Sequence, residues 1–410
     1  MPALPHGDPA PLNGRLPRAN LDAAHGRPFG FYVHIPFCQT RCGYCDFNTY
    51  TAAELGSGVS RGSYADTVLH EIRLASEVLG DGDALGDRIP PVSTVFFGGG
   101  TPTYLSAAQL DSLLHAILEA HPPVEGCEIT SEANPGTVDI PKFEDMHRSG
   151  FNRISLGAQS FDSGDLMRLG RIHEPSHVAK AVGAARHAGF GNVNLDLMFA
   201  LPGQSLRAWN ENLRIAMSLL PEHLSLYCLT IEPNTRFYRL NSRGMLDLPD
   251  DDVQVEMYDV AIEACESHGY SQYEISNFAK PGFDCRHNLC YWRAEEYLGY
   301  GPGAVGCVET GPNARTRYTV AKHPERYCEL VESGDTVWCE TETLEPATMR
   351  LETIMLGVRL AEGLPLGQVP LDPGVLASLE NRGWVTCLDE RVRLTPGGRH
   401  FCSEVALALA

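Results

Sequence analysis

Along the chain, short runs of crowded apolar and β-branched residues alternate with longer stretches in which apolar residues recur every three or four positions. FYVHIP precedes SYADTVLHEIRLASEVL, TVFFGG precedes AAQLDSLLHAILEA, and CEITSEA precedes a short helix near PKFEDMHRSG. The alternation continues with RISLGAQS before SHVAKAVGAARHAG, NVNLDLMFA before SLRAWNENLRIAMSLL, and HLSLYCLTI before DDVQVEMYDVAIEACESHG. A period of two predicts strands and a period near 3.6 predicts helices, so the pattern predicts about six β–α units. Strands joined through helices form a parallel sheet, and the expected fold is α/β, a partial (β/α)6 barrel.

The ends of the chain break this rhythm. Residues 1–27 are rich in Pro, Ala and Gly without periodicity, which predicts a flexible arm, and the barrel is expected over 28–340. Over 341–410 helices near EPATMRLETIMLGVRLAEGL and GVLASLENRG are followed by a hairpin, WVTCLDERVRLT, and a last helix, PGGRHFCSEVALALA. That order suggests a small winged-helix-like module serving as a lid or docking element, because it lacks the basic face of a DNA reader.

Within the strands, His34, the Gly98–Gly100 run, Glu132, Gln159, Asp196 and Thr230 fall at or near the C-terminal ends. Barrel active sites form on that rim. Any one of these residues is equally well a cap or a turn former, but together they point to a site.

The 410 residues are 43% hydrophobic, enough for a large core, and no apolar run approaches the roughly 18 residues of a membrane span. With no secretory leader pattern at its start, the chain is expected to be cytoplasmic, where its 13 cysteines stay reduced. A net charge of −20 repels nucleic acid and anionic membrane surfaces. Anionic ligands must then be met by local Arg, Lys or backbone N–H groups.

The strongest chemical signal is CQTRCGYC, directly after the first strand. Cys38, Cys42 and Cys45 are close enough that one loop must wrap a single metal centre. Three thiolates on a four-iron cubane leave one iron free for a small chelating molecule. The competing reading, structural zinc, needs a fourth ligand such as His34.

This spacing resembles the radical SAM superfamily, in which such a loop carries a 4Fe–4S cluster whose open iron binds S-adenosylmethionine (SAM). The resemblance implies that the reduced cluster can cleave SAM to a 5′-deoxyadenosyl radical, chemistry that belongs to the cofactor. GGGTPTYL resembles the superfamily's glycine motif. SEANPGT, LGAQSF, GRIH and NLDLMFALPGQS match blocks of the group that holds oxygen-independent coproporphyrinogen III oxidase and the HemW-type heme chaperones. Carried over, it implies SAM contacts from Tyr32, Tyr44, Gly99, Gly100, Thr101, Glu132, Gln159, Arg171 and Asp196. Arg171 suits a carboxylate, the acidic pair suits hydroxyls or an amino group, and the tyrosines suit an adenine.

Two features separate the branches of that group. The oxidase carries a further cysteine two residues after the third, where this chain has Phe47, and CRHNLCYW contains the H-N-x-x-Y-W pattern of the chaperone branch. An imidazole can ligate heme iron, so His287 is the expected heme ligand, with Arg286 or Arg293 for the propionates; a satisfied core histidine is the bland alternative. Cys285 and Cys290 are alternative iron ligands or plain buried thiols. YLGYGPGAVG is expected to close over the SAM pocket. The resemblance implies a carrier that binds heme and delivers it to recipient proteins, respiratory membrane enzymes among them, by docking on protein rather than lipid. The alternative is the oxidase's radical decarboxylation of porphyrinogen propionates.

Overall fold

In a computed structural model of the chain, residues 8–9, 28–52, 55, 59–79, 91–311 and 314–410 are described. Most of the expected arm lies outside these residues, although Asp8–Pro9 (β1) pairs with a strand near residue 340.

Six strands follow in chain order: β2 (Phe29–Ile35), β3 (Val92–Gly99), β4 (Pro123–Ala133), β5 (Arg153–Gln159), β6 (Val193–Phe199) and β7 (His223–Cys228). Each pairs in parallel with the next, as the β–α alternation predicts. Helices Arg61–Leu79, Ala107–Ala120, Ile140–Arg148, Pro175–His187 and Leu206–Ser218 make the crossovers. Their starts are encoded locally. Ser106 and Gln109 form a reciprocal capping box, and Asp139 and Ser205 accept backbone N–H groups three residues on.

Alternation along each strand divides the residues cleanly. Phe31, Val33, Ile35, Val95, Phe97, Leu156, Leu195 and Leu197 are fully buried in one large apolar core shared with the helices. Many of the intervening positions are polar and bond to one another across strands: Ser155 Oγ donates to Asp196 at 3.0 Å and Asn194 Nδ2 to Ser155 Oγ at 2.7 Å. The concave face of the sheet is therefore a polar interior.

The sheet also extends beyond the six expected units. β8 (Ser271–Glu274) and β9 (Asn277–Ala279) add antiparallel strands beside β7. On the other edge β10 (Glu296–Tyr300) runs parallel to β2, followed by antiparallel β11 (Val305–Gly311), β12 (Ala314–Val320) and β13 (Trp338–Leu344). The described residues thus form an open 13-stranded sheet. The expected glycine loop over the pocket is corrected here: YLGY is strand β10. A Cβ on Gly301 in the turn that follows would meet the His34 carbonyl oxygen at 2.5 Å, so this turn packs against the base of the cysteine loop.

Beyond residue 345, helices Pro346–Gly357, Pro373–Asn381 and Cys402–Leu409 surround a three-stranded antiparallel sheet made by Leu364–Pro365 and the hairpin Val385–Leu388 and Arg391–Leu394. Ile354, Val358, Leu364, Val392 and Val405 give this part a core of its own. The Ala361 N–H donates to the Tyr273 carbonyl at 2.9 Å and fastens it to β8.

Candidate metal and SAM centre

The cysteine loop begins where β2 ends and is tied at both ends. Cys38 N–H donates to the Tyr50 carbonyl at 3.0 Å and Tyr50 N–H to the Pro36 carbonyl at 2.8 Å. Its middle is held by Gly43, which donates to Leu169 and accepts from Phe237. Here glycine is required, since a Cβ would meet the Phe237 ring at 2.5 Å.

This loop presents Cys38, Cys42 and Cys45, all half-buried, to a cavity of about 310 Å³. Burial, then the neighbouring Cys45 and Cys42, push the Cys38 thiol up to about 11. Three thiolates that repel one another call for a multivalent cation between them. His34 is not free to be a fourth ligand. Its Nε2 lies 2.8 Å from the Asn48 carbonyl and its Nδ1 2.9 Å from the Tyr32 hydroxyl. Three cysteines on one loop, with His34 engaged elsewhere, fit the donor set of an iron–sulfur cluster better than the four-ligand site of a structural zinc.

Eleven of the expected site residues line this one cavity: the three cysteines, Tyr44, Gly99, Gly100, Thr101, Glu132, Gln159, Arg171 and Asp196. The glycine run is there for close approach. With φ +110 at Gly99 and a Cβ on Gly100 only 2.5 Å from the Phe37 carbonyl oxygen, the end of β3 lies flush against the cysteine loop. Opposite stand two half-buried carboxyls, Glu132 and Asp196. Glu132 Oε2 accepts the Gly99 N–H at 3.1 Å, and burial with the nearby Asp196 raises its carboxyl to about 8. Burial also raises Asp196, opposed by hydrogen bonds from Asn194, Ser225 and Ser155. Arg171, placed by the left-handed turn at Gly170, is half-buried, with Nη2 3.3 Å from the Gly157 carbonyl and a buried Nε without a partner. The cavity thus offers an uncommitted guanidinium edge beside carboxyl groups, a set that suits a ligand bearing both a carboxylate and an ammonium or hydroxyl groups.

Tyr32 does not line the cavity. It stands behind the glycine run, stacked on Phe96 with centroids 6.3 Å apart, and its hydroxyl serves His34. His287 departs further from expectation. It is 1% exposed, its Nδ1 lies 2.8 Å from Thr94 Oγ1, its Nε2 lies 2.9 Å from the Tyr291 hydroxyl, and its ring stacks on Phe96. With both ring nitrogens engaged inside the sheet, His287 sits in this structure as a core histidine and does not line the cavity. Arg286 bonds the Gly126 carbonyl, Arg293 pairs with Glu362, and Cys285 and Cys290 are buried thiols. Met198 and Tyr227 also line the cavity and were not singled out. Both could have been found from alternation, Met198 two residues after Asp196 and Tyr227 near the end of β7.

Residues 32–216 match the radical SAM superfamily. The heme chaperone HemW of Mycobacterium tuberculosis is 38% identical over 84% of this chain and 85% of its own length. Its Bacillus subtilis counterpart is 35% identical over 91% and 97%, and that of Escherichia coli 43% over 73% and 75%. This chain belongs to the HemW family of the radical SAM superfamily. Among solved structures, the coproporphyrinogen III oxidase HemN of E. coli shares the fold, with a TM-score of 0.76 over 95% of this chain and 92% of its own at 22% identity. Membership of the superfamily implies a 4Fe–4S cluster and SAM, and the HemW cavity described above has the donors for both. When bound, the pair supplies one-electron cleavage chemistry.

Proposed function

We propose that the chain is a heme carrier built on a radical SAM scaffold, with Cys38, Cys42 and Cys45 holding the cluster. SAM then lies against Gly99, Gly100, Thr101, Glu132, Gln159, Arg171 and Asp196, with Tyr44 contributed by the cysteine loop itself. The observation that carries the reading is likeness along most of the chain to proteins named heme chaperones, against 22% identity to the oxidase, which supports only a common fold. Phe47, 58% exposed at the cavity mouth, stands where the oxidase branch has a further cysteine. In this reading the cavity is assigned to the cluster and SAM, and heme, with both ring nitrogens of His287 engaged in the core, is taken up outside the cavity and away from that residue.

In this reading the chain works in the cytoplasm and hands heme to recipient proteins, respiratory membrane enzymes included, through protein contacts. No helix among the described residues is long and apolar enough to cross a membrane, and a net charge of −20 opposes anionic lipid. Anaerobic incubation of the reconstituted protein with coproporphyrinogen III, SAM and a reductant tests the proposal. Carriage predicts no protoporphyrinogen; its formation would establish the oxidase activity instead.

A further inference from the structure

A line of hydrogen bonds runs from the cavity through the polar interior of the sheet to the opposite side. Asp196 Oδ1 accepts from Asn194 Nδ2 at 2.7 Å, and Asn194 Oδ1 lies 2.7 Å from His223 Nδ1. His223 Nε2 lies 2.9 Å from the Tyr273 hydroxyl, which is reached at 3.5 Å by Asn288 Nδ2 on helix Arg286–Trp292. Asn194 Nδ2 donates both to Asp196 and to Ser155 Oγ, and this sets the direction of every link. Asn194 must turn its amino group to Asp196, so its carbonyl accepts from a protonated Nδ1. His223 is then the neutral tautomer whose Nε2 accepts from the Tyr273 hydroxyl. His223 is fully buried and its pKa is held well below the ordinary value by burial and then by Arg153, in keeping with a neutral ring. No part of the cavity wall requires this arrangement, since His223, Tyr273 and Asn288 do not line it.

We propose that His223 is a positioning residue for the SAM site: through Asn194 it keeps the Asp196 carboxylate an ionised acceptor facing the cavity, and through Tyr273 it ties that carboxylate to helix Arg286–Trp292. The proposal rests on the reading of the cavity as the SAM site. Other groups acting on Asp196 are Glu132, which repels it, Arg153 and Arg171, which favour its charge, the Tyr227 phenol, and the Ser155 and Ser225 hydroxyls. Those groups are unchanged when the histidine is replaced. Without the imidazole the Asn194 carbonyl keeps only the longer bond from Ser225 Oγ at 3.3 Å, so the amide, still bonded to Ser155, is held less firmly toward Asp196, which then takes up a proton at higher pH.

The test is SAM binding by anaerobic equilibrium dialysis of the cluster-loaded chain across pH 6 to 9, with iron content and melting temperature recorded for each variant. His223→Phe is expected to weaken SAM about tenfold or more at neutral pH, the loss of a hydrogen bond supporting a charged group, and to move the pH at which binding is half-lost upward. His223→Gln, which keeps a donor and an acceptor, restores most of the affinity. Tyr273→Phe removes only the outer link and produces a smaller shift of the same sign, and it carries the test should His223→Phe fail to hold its cluster. A wild-type SAM affinity and pH profile in His223→Phe, or in Tyr273→Phe where that variant decides, would overturn the proposal. Absence of SAM binding by the wild-type holoprotein would overturn the SAM reading beneath it.

Discussion

Glu132 Oε2 accepts the Gly99 N–H at 3.1 Å, which joins a half-buried carboxyl on β4 to the glycine run on β3 that borders the cysteine loop. The bond only partly offsets burial and the repulsion of Asp196, so the Glu132 carboxyl is raised from 4.5 to about 8. Glu71, buried with Oε1 unpartnered, is raised to about 7. For both groups the native state keeps a proton that the unfolded state has lost, so stability falls as pH rises through this range. The buried histidines act oppositely below 6.5: His34, His121 and His173 are lowered to about 4 and His287 to about 3, so acid favours the unfolded chain. Urea unfolding of the cluster-free chain is expected to show maximal stability near pH 6.5 and a decline toward pH 8. Glu132→Gln should shrink that decline, and an unchanged slope would remove Glu132 from the account.

Glycine at 100 is predicted to be required by backbone approach. Gly100→Ala places a Cβ 2.5 Å from the Phe37 carbonyl oxygen and 2.9 Å from that of Ile35, neither of which can move without disturbing the loop. A loss of about 1–3 kcal/mol and lower iron incorporation are expected. Gly183, within helix Pro175–His187, meets nothing within 4 Å. Gly183→Ala should be stabilising by up to about 1 kcal/mol, a control read in the same denaturation experiment.

Because Arg171 Nε has no partner in a buried cavity wall, the guanidinium is expected to spend that donor on the SAM carboxylate. Arg171→Met should leave iron and sulfide content intact while weakening SAM binding about tenfold or more, measured by dialysis. Lys at this position should recover only part of the loss, because an ammonium cannot reproduce the planar fork.

His287→Ala should leave the heme-bound absorption spectrum unchanged. It removes a buried ring stacked on Phe96 and strands Thr94 and Tyr291, so the expected cost is stability, about 2–4 kcal/mol in denaturant. A lost heme spectrum in a variant with wild-type stability would restore His287 as a ligand.

How far the fold was legible follows from where its periodicity is strong. Strands β2 to β7 and their helices carry clean apolar patterns, and Ala107–Ala120 is seen directly in AAQLDSLLHAILEA. Strands β11 to β13 interleave Arg, Glu and Thr with few apolar residues, as in ARTRYTV, and without that contrast they read as connecting chain. The cavity residues were legible because cysteine spacing, glycine runs and carboxylates at strand ends are local features. His287 was not, because its fate is decided by Thr94, 193 residues away, and by a Phe96 ring beneath it. The chain from Asn288 to Asp196 likewise joins strands far apart in sequence, and single-residue patterns contain no trace of it.

Heme carriage without turnover is the central claim, and a transfer measurement tests it most directly. The anaerobically reconstituted protein, loaded with one heme and mixed with an apo-hemoprotein acceptor, SAM and a reductant, should lose its own heme absorption as the acceptor's spectrum grows, with the porphyrin chemically unaltered. Retention of the heme by this chain, or recovery of a modified macrocycle, would contradict the account.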